Sequence, residues 1–373
     1  MSAITRDQVR RYRVHAQQLD RSPRADRRPD DAVILDLGVQ DTGPDGALWA
    51  LALRGVPVGA HAWPHELALS WTVRAAPHAY RRADLAEVEQ ALRPYSEADA
   101  AKRVLSAGRP LADAGIAVLD ALATVSRTMR AVVDAPLDKG TLSTRMTAEL
   151  PGPYLRWCAA CGATHMYEMP FRLAALHAGL DLEPDTSPPV IRRIPGWPAA
   201  QVGMLGRTTA ADDGRVDVLR ALLHLLGPLT PRQAADYLDA AVRDVTARWP
   251  QDVVDVTVEG RRASMLDADL TALSDPPGGP VVRLLGPYDL FLQGRDRDVV
   301  VPDSARHRTL WPTIGRPGAV LAGGEIIGTW RPRAKGRRLG LELDEWVPWS
   351  SRTRSAVDVE HERLAQFRGV TPA

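Results

Sequence analysis

Lysine is almost missing from this 373-residue chain: Lys102, Lys139 and Lys335 stand against 44 arginines. Cysteine is scarcer still, Cys158 and Cys161 being the only two. A single close pair excludes a disulfide framework for several domains and suits a reducing compartment. Long apolar runs are missing too. None approaches the ~18 residues of a membrane helix, and the start, MSAITRDQVRRYRV, has no signal-peptide apolar core, so we expect a cytoplasmic protein with no membrane partner. An excess of one charge is also absent, the formal net being +1 at pH 7. No global field draws the chain onto phosphate, and any polyanion footprint must come from local clusters. The arginine surplus runs along the whole chain, as GC-rich coding produces, and marks no site by itself.

What is present is material for a core. Hydrophobic residues make up 45% and charged residues 25%, ordinary globular proportions, and the length predicts two to four compact units of ~100–150 residues. The clearest stretch is Arg215 to Leu266. Val216, Leu219, Leu222, Leu223 and Leu226 recur at helical spacing until Gly227-Pro228 stops them. Thr230 can cap a second helix over 231–238 with Pro231 in its first position. A third helix, about Ala240 to Trp249, carries Val242, Val245 and Trp249 on one side, Arg243 and Arg248 on others, and closes at Pro250. VVDVTV then alternates as a strand, Glu259-Gly260-Arg261-Arg262 turns, and Ala263 to Leu266 returns. Three helices, a strand, a basic turn and a strand make the winged-helix order.

A weaker copy lies upstream, with helical stretches at Leu111 to Val133 and Thr141 to Leu150 and strand-like residues at Tyr154 to Trp157 and His165 to Tyr167. A more divergent one has helices at Thr5 to Leu19, Asp31 to Leu37 and Ala47 to Leu53 and a strand at Leu67 to Val73. The carboxy-terminal runs Val281–Leu285, Gly318–Leu321, Glu325–Trp330 and Arg338–Leu343 predict a small antiparallel β-barrel, covered by a helix from Ser355 to Phe367. Leu182 to Pro189 and Asp275 to Pro280 read as linkers. The expected class is α+β: tandem winged-helix units over 1–83, 84–185 and 205–273, then a barrel with a terminal helix over 280–373.

Cys158-x-x-Cys161 with His165 offers three metal donors, yet a structural zinc takes four, and only His177 lies nearby. The motif therefore reads as a wing stabilised by small buried thiols, with no metal and no other cofactor.

The stretches LGVQDTGPDGALWALALR, WTVRAAPHAYRRADL, CAACGATH, RLLGPYDLFLQGRDRDVVVPD and GGEIIGTWR, in this order across nearly the whole chain, resemble the AlkZ and YcaQ family of winged-helix DNA glycosylases. The resemblance implies three winged helices and a barrel in a C shape around a duplex. It also implies a catalytic Gln-x-Gln or Gln-x-Asp element and removal of N7-alkylated purines, including natural-product adducts and interstrand crosslinks. Two registers fit the motif. In one, Gln40 is the second glutamine and Gly38 stands where the first is expected; in the other, the element is Gln40-Asp41-Thr42.

On this resemblance Gln40 and Asp41 are the catalytic candidates, and Gly38, Thr42, Arg74 and His78 line the lesion pocket. An N7-alkylated purine is already cationic and can leave without a strong general acid, so the protein must stabilise the sugar cation and place a water. A glutamine amide can hold that water, and a nearby carboxylate favours the cation. Asp41 has a plainer role open to it, capping the turn before Thr42-Gly43-Pro44. Phosphate contacts fall to Arg243, Arg248, Arg261 and Arg262 and to Arg331, Arg333, Lys335, Arg337 and Arg338, the densest basic cluster. The expected protein is a nucleoid-associated monomer whose partner is double-stranded DNA with alkylated bases, in repair or self-resistance. The alternative is a non-catalytic winged-helix regulator, since a fold alone does not license an enzyme.

Overall fold

Thr5 and Gln8 open the fold with a reciprocal cap. The Gln8 backbone N–H donates to the Thr5 hydroxyl at 3.1 Å, and the Thr5 N–H donates to Gln8 Oε1 at 2.9 Å, starting the helix Arg6–Ala16. The computed structural model describes residues 3–43, 45–205 and 216–373. Pro44 and the stretch 206–215, near the start of the expected third winged helix, lie outside the described residues. Two compact units divide the chain: one comprises Met1–Leu67, Leu219–Ala234 and Pro250–Ala373, the other Ala68–Val218 and Ala235–Trp249.

In the first unit, Val9, Tyr12 and Ala16 of the opening helix pack on Val256 and Met265 of a hairpin, Val253–Val258 with Arg261–Leu266. Its turn has Glu259 at φ 44° and Gly260 at φ 85°, the two positive angles of a type I′ connection. Five strands curl into a half-barrel, in the order Val282–Leu285, Gly318–Ala322, Glu325–Lys335, Arg338–Glu345, Thr371–Pro372. Successive pairs are antiparallel except the last, and a register shift at Val320/Leu321 bends the sheet. The helix Ser351–Phe367 packs against Val282–Leu285 and the helix Gly46–Leu53, starting four residues before the expected Ser355 because Ser350 caps Thr353 at 3.1 Å. Two ion pairs are sealed inside: Arg13 forks onto Asp296 at 2.6 and 3.1 Å, and Arg54 onto Asp289 at 2.8 and 2.9 Å. The expected helix at Asp31 to Leu37 is instead two short 3-10 turns.

The second unit has a sheet in the order Pro77–Arg81, Leu67–Trp71, Leu180–Glu183, Val190–Arg193, Leu137–Asp138, with Tyr80, Leu85, Val88, Leu176 and Trp197 in one of its core clusters. The helices Val118–Val132 and Glu168–His177 pack together, and the Ser126 hydroxyl donates to the Ala174 carbonyl at 3.3 Å. The stretch from Leu111 breaks in two at Ala114–Ala117, where Gly115 takes φ 70°. Leu182 to Pro189, read as a linker, is part of an antiparallel hairpin: Leu180 pairs with Arg193 and Leu182 with Ile191. Along 218–266 the elements Val218–Leu226, Pro231–Leu238, Val242–Ala247, Val253–Val258 and Arg261–Leu266 follow in the order read from the sequence.

Candidate active site

The first unit encloses a cavity of about 240 Å³ where Gln40, Thr42, the start of the helix Gly46–Leu53, the Gly286–Asp289 loop, and residues of the Glu325–Lys335 strand meet. Gln40 Nε2 donates to Thr42 Oγ1 at 3.0 Å. Alternate residues of an extended segment share a face, and both of these line the cavity. Asp41 is turned to structural use: its Oδ1 accepts from the Ala47 backbone N–H at 2.8 Å, in the first turn of the helix. Only glycine suits position 46, whose φ is 40° and whose added Cβ would lie 1.8 Å from Asp41 Oδ1. Gly38 sits at φ 82°, where a side chain is strained. Gln40 and Thr42 therefore share the cavity wall, and Gly38 is held by its backbone angle.

Aromatic groups and arginines complete the walls. Trp49 donates its indole N–H to the Leu284 carbonyl at 2.8 Å, and Trp330 donates to that of Leu285 at 2.9 Å. Both tryptophans are buried. The Arg316 guanidinium stacks 5.1 Å from the Tyr288 ring centre. Asp289 is neutralised from behind by Arg54, and Asp45 by Arg368, whose Nε donates at 2.7 Å. Four guanidiniums, those of Arg316, Arg331, Arg333 and Arg368, face two carboxylates that are already paired. Arg331 donates to the Gly315 carbonyl at 2.8 Å, Arg333 pairs with Glu342, and both side chains are exposed. Past them Lys335, Arg337 and Arg338 are exposed at the hairpin tip, where Gly336 takes φ 58°. Sequence reasoning missed Asp45, Trp49, Tyr288, Arg316, Trp330 and Arg368, which come from distant segments with no shared spacing.

The other expected residues stand elsewhere. Arg261 pairs with Asp298, and Arg262 is exposed beside it. In the second unit Arg243 is exposed, while Arg248 stacks 4.6 Å from the Tyr95 ring centre. Arg74 donates to the Tyr237 carbonyl, stacks on that ring, and lines a cavity of about 30 Å³, room for roughly one water. His78 lies in the interior, 1% exposed, and its Nδ1 lies 2.9 Å from the Ala76 carbonyl and 3.0 Å from the Thr72 hydroxyl. Its Nε2 has no hydrogen-bond partner among the described residues. Burial, then the Arg74 charge, holds its pKa down to about 3, so the ring is neutral.

The thiols are not buried as expected: Cys161 is exposed and Cys158 only half-buried. Their hairpin is a separate two-stranded sheet. Hydrogen bonds from His165 and from the turn's backbone hold the Cys158 thiol down to about 7. His177 does not join them; its Nδ1 is 2.6 Å from Glu89 Oε1 in the interior.

Both the sequence and the fold have counterparts among known proteins. Residues 34–367 match the family described as DNA glycosylase AlkZ-like, and the chain belongs to that family of DNA-acting enzymes. A similar solved structure is Streptomyces sahachiroi DNA glycosylase AlkZ, at a TM-score of 0.70 and 19% identity, covering 100% of this chain and 98% of that one. The likeness is one of fold. No curated protein matches the chain. Among the described residues no helix is long and apolar enough to cross a membrane.

Proposed function

We propose that this protein is a monofunctional DNA glycosylase that hydrolyses the N-glycosidic bond of N7-alkylated purines in duplex DNA, with the scissile bond at the Gln40–Thr42 wall. The observation that carries the reading is the shared cavity: Gln40 and Thr42 line it together with Arg331 and Arg333, the first residues of the densest basic cluster. Tandem winged-helix modules belong to the same proposal, supported by the element order along 218–266.

The chemistry asks little of the chain. The cationic purine departs as a neutral leaving group, and the positive charge passes to the sugar. Gln40, its amide N–H engaged by Thr42, keeps its carbonyl oxygen to accept a hydrogen bond from the attacking water. Asp41 acts as a positioning residue through Ala47. Arg331 and Arg333 take the flanking phosphates, and Tyr288 offers a ring face to an extruded base. Bulky adducts and interstrand crosslinks at N7 carry the same cationic purine, which extends the reading to repair or self-resistance by a monomer.

The test is incubation of the pure protein with a duplex carrying N7-methylguanine, read as alkali-labile strand breaks. We expect breaks with the native chain and a loss of about 100-fold or more in Gln40→Ala, with duplex binding kept. Binding without any base release by the native chain overturns the enzyme and leaves a DNA-binding protein.

A further inference from the structure

The exposed turn between Leu155–Cys158 and Ala163–Met166 takes no part in that chemistry. The register sets Cys158 opposite Ala163 and Arg156 opposite His165, so Cys158 and His165 share one face of the hairpin, while Trp157 projects from the other and is 66% exposed. The chain then folds back on itself: the Cys161 N–H donates to the Cys158 carbonyl at 3.2 Å, and Gly162 takes φ 61°. The two sulfurs and a ring nitrogen of His165 end within 4.8 Å of one another, a metal-ligand grouping formed from three separate positions.

We propose that Cys158, Cys161 and His165 form a site for a zinc-class divalent cation at the tip of this hairpin, its fourth position open to water. Zinc bonds of about 2.0–2.3 Å imply tetrahedral edges of about 3.4–3.8 Å, so the donors need to draw in by about 1 Å, a small adjustment for an exposed turn. The histidine is set for the task. Its Nδ1 lies 2.7 Å from the Met166 carbonyl, which fixes the proton there and leaves Nε2 as the donor, the outer hydrogen bond that metal-binding imidazoles use. Two thiolates and an imidazole select zinc over magnesium, calcium or manganese. Counting ligands in the sequence led to the opposite expectation, because a three-donor site closed by water does not meet the four-residue rule for structural zinc. The consequence is mechanical: the helix Lys139–Glu149 packs against the Ala163–Met166 strand, and the ion would fix the exposed turn at the other end of the hairpin, beside Trp157 and Arg156, the latter 5.8 Å from the Tyr167 ring centre.

The test uses the full-length reduced protein, stripped with EDTA and titrated with Co²⁺ and then Zn²⁺. One equivalent of cobalt should give a thiolate-to-cobalt charge-transfer band and the intense visible bands of a tetrahedral site, both removed by one equivalent of zinc. Cys158→Ser and Cys161→Ser should abolish the charge-transfer band or reduce it to a weak remnant, and His165→Ala should weaken zinc binding about 10-fold or more. Circular dichroism of the variants confirms that the fold is kept. Absence of a thiolate band in the reduced native protein overturns the site, as does equal zinc affinity in the Cys158→Ser/Cys161→Ser double variant. A Cys158–Cys161 disulfide whose reduction restores no metal binding overturns it as well.

Discussion

Asp41 can be taken out of its place in two ways that differ by one atom's chemistry. In Asp41→Ala the Ala47 N–H loses its acceptor at 2.8 Å. Removing a side-chain cap of this kind costs about 0.5–2 kcal/mol, whereas asparagine keeps an oxygen in place and caps about as well as aspartate. Gly46→Ala attacks the same contact from the other side: its Cβ would lie 1.8 Å from Asp41 Oδ1, on a backbone at φ 40°. Strain and the lost bond together should cost about 2–4 kcal/mol. If Asp41 works by holding the Gln40 segment, Asp41→Asn keeps the native unfolding midpoint and base release within about 10-fold, while Asp41→Ala and Gly46→Ala lose both. Urea unfolding followed by tryptophan fluorescence, alongside alkali-labile breaks in N7-methylguanine duplex, reads the two quantities on the same preparations. Full stability in Asp41→Asn with base release down by more than about 100-fold would refute the positioning role and make the negative charge itself the working part.

Three other outcomes follow from the same geometry. Arg331→Ala and Arg333→Ala should each lower the slope of log binding against log salt by about 1 if each meets one phosphate, with unfolding shifted by no more than about 0.5 kcal/mol because both are exposed; an unchanged slope would remove them from the interface. Asp289→Ala strands Arg54, a side chain with no exposed surface, and should destabilise by about 3–5 kcal/mol in urea unfolding. His78, with its pKa held at about 3 against about 6.5 when unfolded, contributes stability that is present above pH 6.5 and lost as pH falls. At pH 5 the loss should reach about 2 kcal/mol, and His78→Asn should flatten that part of the stability profile.

Local chemistry was readable where the chain punctuates itself. Thr230 caps the helix that Pro231 begins, its hydroxyl accepting from the Gln233 N–H at 3.2 Å, and Glu259-Gly260 turns where strands alternate on either side. The same cues failed where two structures share one composition. Leu182 to Pro189 is rich in proline, acid and hydroxyl residues, which suits a linker and a hairpin turn equally. What decides is whether Leu180 and Leu182 find partners, and those partners, Arg193 and Ile191, carry no mark of it. The depth of a thiol is likewise set by what packs around it in the folded chain, and nothing in CAACGATH says that the tip of its hairpin lies outside the interior.

The motif itself shows what backbone geometry adds to a string of letters. From the letters, Gly38 and Thr42 compete to stand in for the missing half of a glutamine pair. The backbone angle bears on Gly38 alone. At φ 82° Gly38 has the conformation least suited to carrying a long amide, so a glutamine there would work against the turn that aims Gln40. Thr42, two residues on, shares the cavity wall and accepts the Gln40 amide N–H. Its hydroxyl is shorter than a glutamine side chain and cannot reach as far into the cavity. What it can do is fix the rotamer of Gln40 and leave the carbonyl of that one amide to hold the water. Thr42→Val, nearly the same shape without the acceptor, therefore separates the two duties. Base release should fall with the KM for duplex unchanged if the hydroxyl orients Gln40, and release at the native rate would mean that Gln40 needs no such partner.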